Sequence, residues 1–184
     1  RAAMEVSAAL AGVSLRVSRD FVEAVPAAAK VLSADQIRLW GELGRKIAMG
    51  SAKSGSAFFA AGVEGLMHLP VESRTTLLQI ALRQLVLSSS VAIETVQSAP
   101  DIARQIGDEF SIKEVFRIAS EISGRSAKHS AEFLARSPDA IGALKSVGDK
   151  TAEVGRAAFD LATDFAHRTG GMTADLWADL PKVL

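Results

Sequence analysis

The sequence predicts an all-α fold, a short α-solenoid of stacked helical hairpins. Three observations carry that expectation. Apolar and small residues recur at steps of three and four, as in Val115, Ile118, Ala119, Ile122, Ser126, Ser130, Phe133, Leu134 and Ser137, the stripe of a helix and not the alternation of a strand. The pattern returns every 37–38 residues: Ser14, Ser51, Ser88 and Ser126 share one column, Val6, Leu43, Ile80 and Ile118 a second, Leu32, Leu69, Ile106 and Leu144 a third. A proline stands at one point in three copies, Pro26, Pro100 and Pro138, with Val63 in the other. Self-similarity at such a period marks an array in which each unit buries its apolar stripe against its neighbours.

In chain order, four copies span about 3–35, 36–72, 73–109 and 111–148, and a degenerate capping repeat occupies 150–184, all in one domain. Each copy is expected to be a long helix, a tight turn and a short helix. The fourth is the best formed. Its long helix is expected over about 113–136, a length on the order of 30 Å at a rise of about 1.5 Å per residue. Ser111-Ile-Lys-Glu114 has the spacing of a capping box at its start, as does Ser33-Ala-Asp-Gln36 upstream. Ser137-Pro138-Asp139 and Ala99-Pro100-Asp101 then suit a turn, with proline opening the short helix and an acid in its first turn, where the helix dipole favours it. The short helix carries Ile141 and Leu144. The fifth copy keeps Val154, Gly155, Ala158, Ala162, Ala166, Trp177 and Leu180, but lacks the proline and has alanine in place of serine. Deviant terminal copies usually cap an array.

Three columns of small residues need a reason: Ser7, Gly44, Ala81 and Ala119; Ser14, Ser51, Ser88 and Ser126; Ser18, Gly55, Ala92 and Ser130. Small side chains let neighbouring helices approach closely, and a helical serine can satisfy its hydroxyl on the carbonyl four residues back. A row of hydroxyls lining a ligand groove is the functional alternative. Phe21, Phe58 and Phe133, with Thr95 in the third copy, precede the proline column by five residues. They are expected to plug the corner between the two helices, or to offer an aromatic row to a partner.

Composition narrows the function. Twenty-one basic and twenty-one acidic residues leave no net charge, and in sequence the signs are interspersed, which argues against a nucleic-acid groove or an anionic-membrane anchor, since both need clustered Lys and Arg. The chain has no cysteine, so thiol chemistry is excluded and a cytoplasmic location suits it. A start at Arg1 is what a fragment of a longer protein would show. No uncharged run is long enough for a transmembrane helix, which needs about 20 apolar residues. Gly50-Ser-Ala-Lys-Ser-Gly55 has phosphate-loop glycine spacing, but Ser56-Ala57 stands where Lys and Ser or Thr are required. His68, His129 and His167 share no column; the spacings His129/Glu132, Asp164/His167 and Glu64/His68 suit solvated helix pairs better than a metal site. No catalytic motif is present, so no enzyme activity and no cofactor are expected.

Trp40, Leu43-Gly44, Ile47-Ala48, Ser51 and Phe58-Phe59, restated as Ile118-Ala119, Ser126, Ala131-Glu-Phe133-Leu134 and Ser137-Pro138, resemble the helical-repeat region of bacterial von Willebrand-A-domain adaptor proteins. These are the nitric-oxide-reductase-activation and Rubisco-activation proteins, which work with MoxR-type AAA+ ATPases. The likeness covers about 3–148, without the adaptors' Asp-x-Ser-x-Ser metal signature. It implies a scaffold whose partner is such an ATPase or its target. Exposed corners around Phe59, Phe133 and Arg136 are the expected docking residues. Two other classes compete: an amphipathic, phasin-like protein of lipid or granule surfaces, and a small-ligand-binding helical bundle, which would need polar groups facing inward.

Overall fold

The computed structural model describes residues 1–148 and 151–184. These form ten α-helices and no strand: α1 (Ala2–Ala11), α2 (Leu15–Val31), α3 (Ala34–Gly50), α4 (Ala52–Ala60), α5 (Val71–Leu87), α6 (Ser89–Ile106), α7 (Glu109–Ser123), α8 (Ala127–Ser146), α9 (Thr151–Arg168) and α10 (Gly170–Val183). A 3-10 turn (Glu64–His68) follows α4.

Helix breaks fall at serines. Ser14, Ser51, Ser88 and Ser126 are all extended, with φ between −149° and −162°, and their hydroxyls accept the amide N–H of Val17, Ser54, Val91 and His129. Each therefore caps the second helix of a pair, satisfying one of the amides that a helix start leaves orphaned. The helix expected over 113–136 is accordingly two helices, α7 and α8, and the expected short helix is the second half of α8. Long-plus-short units are replaced by pairs of more even length, the short α1 and α4 excepted.

Pro26, Pro100 and Pro138 lie inside α2, α6 and α8. An interior proline costs about 3 kcal/mol in a free helix. Here Phe133 and Leu134 before Pro138, and Ala140, Ile141 and Leu144 after it, bury one continuous face. At about 1.5–3 kcal/mol for each large apolar side chain, that burial outweighs the lost hydrogen bond. The second helix of a pair breaks only where the proline is missing: α4 ends at Ala60, and Gly62 turns left-handed at φ +69°. Ser33 and Gln36 form the expected capping box. At Ser111 the expectation fails, because Asp108 caps α7 by accepting the Ser111 amide at 2.8 Å, and Ser111 is buried within the helix.

The helices pack in two rows. α1 lies on α3, α3 on α5, α5 on α7 and α7 on α9; α2 lies on α4, α6 on α8 and α8 on α10, with the 3-10 turn touching α2 and α6. Cross-ties between α5 and α7 keep one direction, Glu72 to Lys113 at 3.2 Å and Arg83 to the Ser120 carbonyl at 2.8 Å, so these helices are parallel. Two of the small-residue columns face each other inside a pair, Ser18 against Ser7 and Ser130 against Ala119; the glycines of the second pair make room for larger neighbours, since a side chain on Gly44 would enter the Phe59 ring and one on Gly55 would come within 2.6 Å of the Ala48 Cβ. The third is the serine cap column.

The core between the rows has two aromatic clusters. Phe21, Trp40, Phe58 and Phe59 meet with centroids 4.9–6.4 Å apart. Phe133, Phe159 and Trp177 form the other, with the exposed Phe110 ring edge-on to Phe159 at its rim, and Trp177 Nε1 donates to Ser137 Oγ at 3.1 Å. Leu77, Leu78, Ile80 and Ala81 of α5 lie between them.

Candidate functional site

The two rows bring five tight turns to one edge, at Ser14, Ser51, Ser88, Ser126 and Thr169. Neighbouring turns touch. Arg83 reaches from the third to the fourth through Ser120, Arg125 donates to the Ala166 carbonyl at 3.0 Å, and Gly170 lies so close to Ile122 that a Cβ there would be 2.6 Å from it. A depression of about 430 Å³ joins the second and third turns, lined by Lys46, Met49, Ser51, Ser54, Leu85 and Val86.

Within four residues of those five caps the chain carries Arg16, Lys53, Arg125, Lys128 and Arg168, and no Asp or Glu. All five cations are exposed. With a net charge of zero overall, the rest of the molecule carries −5 (16 basic, 21 acidic). Arg16, Lys53 and Arg168 have no ionic partner among the described residues, whereas Lys128 lies 3.7 Å from Glu132. The same segments expose large apolar side chains: Val13, Leu15, Met49, Val86, Leu87 and Met172. Leu15 and Val86 are 78% and 79% exposed, which a helix packed only on its neighbours has no use for. Cations beside bare aliphatics are the makings of a docking edge for something anionic and partly apolar.

The expected docking residues do not assemble. Phe59 and Phe133 are both 0% exposed, one in each aromatic cluster, so neither can touch a partner. The phenylalanine column is core throughout, because the true break lies seven residues before Phe133, at Ser126, and not at Pro138. Arg136 is exposed and lines an open groove between α8 and α10 with Pro138, Trp177, Pro181 and Lys182. The turn edge was missed because its cations are scattered in sequence. Tabulating charge around the serine column would have found it.

The other motifs resolve as structure. Gly50 ends α3 and Ser51 caps α4, so the glycine-spaced stretch is a hairpin turn. His129 and His167 stand at the turn edge and His68 at the opposite one; among the described residues no three His, Asp or Glu converge on a point. Among them, too, no helix is long and apolar enough to cross a membrane. Compared with known proteins, the chain matches no family model, no curated protein and no solved structure.

Proposed function

We propose that the chain is a non-catalytic helical-repeat scaffold that binds an acidic protein partner along the hairpin-turn edge. On this reading the first four hairpins are copies of one unit, and α9 with α10 is a divergent fifth that ends the row. The serine caps 37–38 residues apart support the common unit. The observation that carries the function is the turn edge itself, with five exposed cations, no carboxylate within four residues of the caps, and six bare aliphatic side chains. Complementary charge speeds encounter and selects the partner, and the aliphatics supply area to desolvate. The resemblance noted in the sequence makes a MoxR-type ATPase or its target the first partner to try, in the cytoplasm, where a cysteine-free chain loses nothing.

The test is retention of the partner by immobilised protein as salt is raised. Binding should weaken with ionic strength and be lost in the triple variant Lys53→Glu, Met49→Glu, Val86→Glu, whose melting should be unchanged because all three side chains are exposed. Retention that ignores both salt and these substitutions would exclude this edge. A second reading draws on the same mixture of cations and aliphatics, which also suits an anionic lipid surface. Flotation with anionic vesicles, abolished by the same variant, would move the function to that class.

A further inference from the structure

A separate concavity lies at the opposite edge, where α9 packs beside α7. It has a volume of about 380 Å³ and opens between the start of α7, the end of α8 and the first half of α9. Its walls are Phe110, Ile141, Leu144, Gly155 and Phe159. The volume falls in the range of small-molecule sites, about 300–1,000 Å³, and apolar walls with a few polar groups are their usual lining. Phe110 is 68% exposed although its ring lies edge-on to Phe159, 6.0 Å between centroids. An aromatic ring left to water beside a hollow is surface that a ligand would cover favourably.

The charged groups narrow the ligand. Asp108 and Lys145 neutralise each other at 2.9 Å, and the Lys145 ammonium also donates to the Ile106 carbonyl at 2.6 Å. Among the described residues Arg156 is the remaining charge in the lining; it is exposed and has no ionic partner among them. Thr151 and Ala152 of the lining belong to the first turn of α9, where the helix dipole also favours an anion; Glu153 of the same turn is exposed and outside the lining. Gly155 meets nothing within 4 Å, so the absent side chain leaves the hollow open.

We infer that this cavity is a binding site for an amphipathic monocarboxylate, its apolar body against Phe110 and Phe159 and its carboxylate at Arg156. The experiment is calorimetric titration of the full chain with octanoate, octanol and octylammonium. Octanoate should bind saturably at one site, octanol more weakly and octylammonium not detectably. Arg156→Glu should weaken octanoate about tenfold. Gly155→Leu should abolish its binding by filling the hollow, and it should melt no lower than the parent, since leucine is the better helix former and has room. Ala152→Phe is a second plug should the first disturb folding. Absence of saturable octanoate binding, equal binding of octylammonium, or binding that survives a folded plug variant would each overturn the assignment.

Discussion

Ser130 Oγ donates to the carbonyl oxygen of Ala119, eleven residues back and across the turn, at 2.9 Å, and Ser18 makes the same bond to Ser7. These bonds fix how closely the two helices of a hairpin lie. Ser130 is wholly buried. Ser130→Ala should cost about 1 kcal/mol through the lost hydrogen bond, and Ser130→Leu about 1–3 kcal/mol through overpacking. Equal melting of the two variants would show that the contact tolerates bulk.

The serine caps predict a different pattern. Ser126→Ala should destabilise by about 1 kcal/mol, while Ser126→Asp should keep most of the stability because a carboxylate accepts the same amide. Urea unfolding of both variants separates a capping role from a packing one: if Asp is worse than Ala, the position is read wrongly.

Gln84 is 0% exposed, and neither of its amide atoms has a hydrogen-bond partner among the described residues. It stands in the column that elsewhere holds Leu10, Ile47 and Ile122, all buried. An unpaired buried amide costs about 1–3 kcal/mol. Gln84→Leu should therefore raise the melting temperature, unlike most core substitutions, and a lower one would mean that the amide has a role in the core.

Acid should weaken the fold through two carboxylates. At Asp108 burial opposes ionisation, but the Ser111 amide and the Lys145 ammonium outweigh it and hold the group below its ordinary value. Glu42 is lowered chiefly by its forked hydrogen bonds from Arg45. Each is lower folded than unfolded, so its contribution is complete above the unfolded values, about 3.9 and 4.3, and is lost as pH falls through the folded ones. Both are partly exposed, which keeps the effect small. Asp108→Asn should flatten the fall in stability below about pH 4, seen by chemical denaturation across that range.

The helical class was legible because apolar residues such as Leu43, Ile47, Ile118 and Ile122, at helical steps, are buried on one stripe of their helices. The break points were not. Proline is the stronger local signal, yet tertiary burial carries α8 through Pro138, and Ser126, seven residues before Phe133, starts a new helix because its hydroxyl accepts an amide that a helix start leaves without a partner. That displacement moved Phe59 and Phe133 from expected corners into the core. The turn edge and the α7–α9 cavity join residues far apart in sequence, such as Arg16 with Arg168 and Phe110 with Phe159, so no local pattern announces either.

From Ala60 to Glu109 the chain has no phenylalanine or tryptophan, and the two ring clusters lie on either side of that gap. The third hairpin also puts Gln84 and Thr95 where its neighbours bury aliphatic and phenyl groups. Each aromatic cluster can serve as a nucleus of its own, with α5 and α6 condensing between them last. Amide protons of that middle hairpin are then expected to exchange with solvent through openings that leave both ends folded, a hinge in the energetics of a row that looks continuous in its packing.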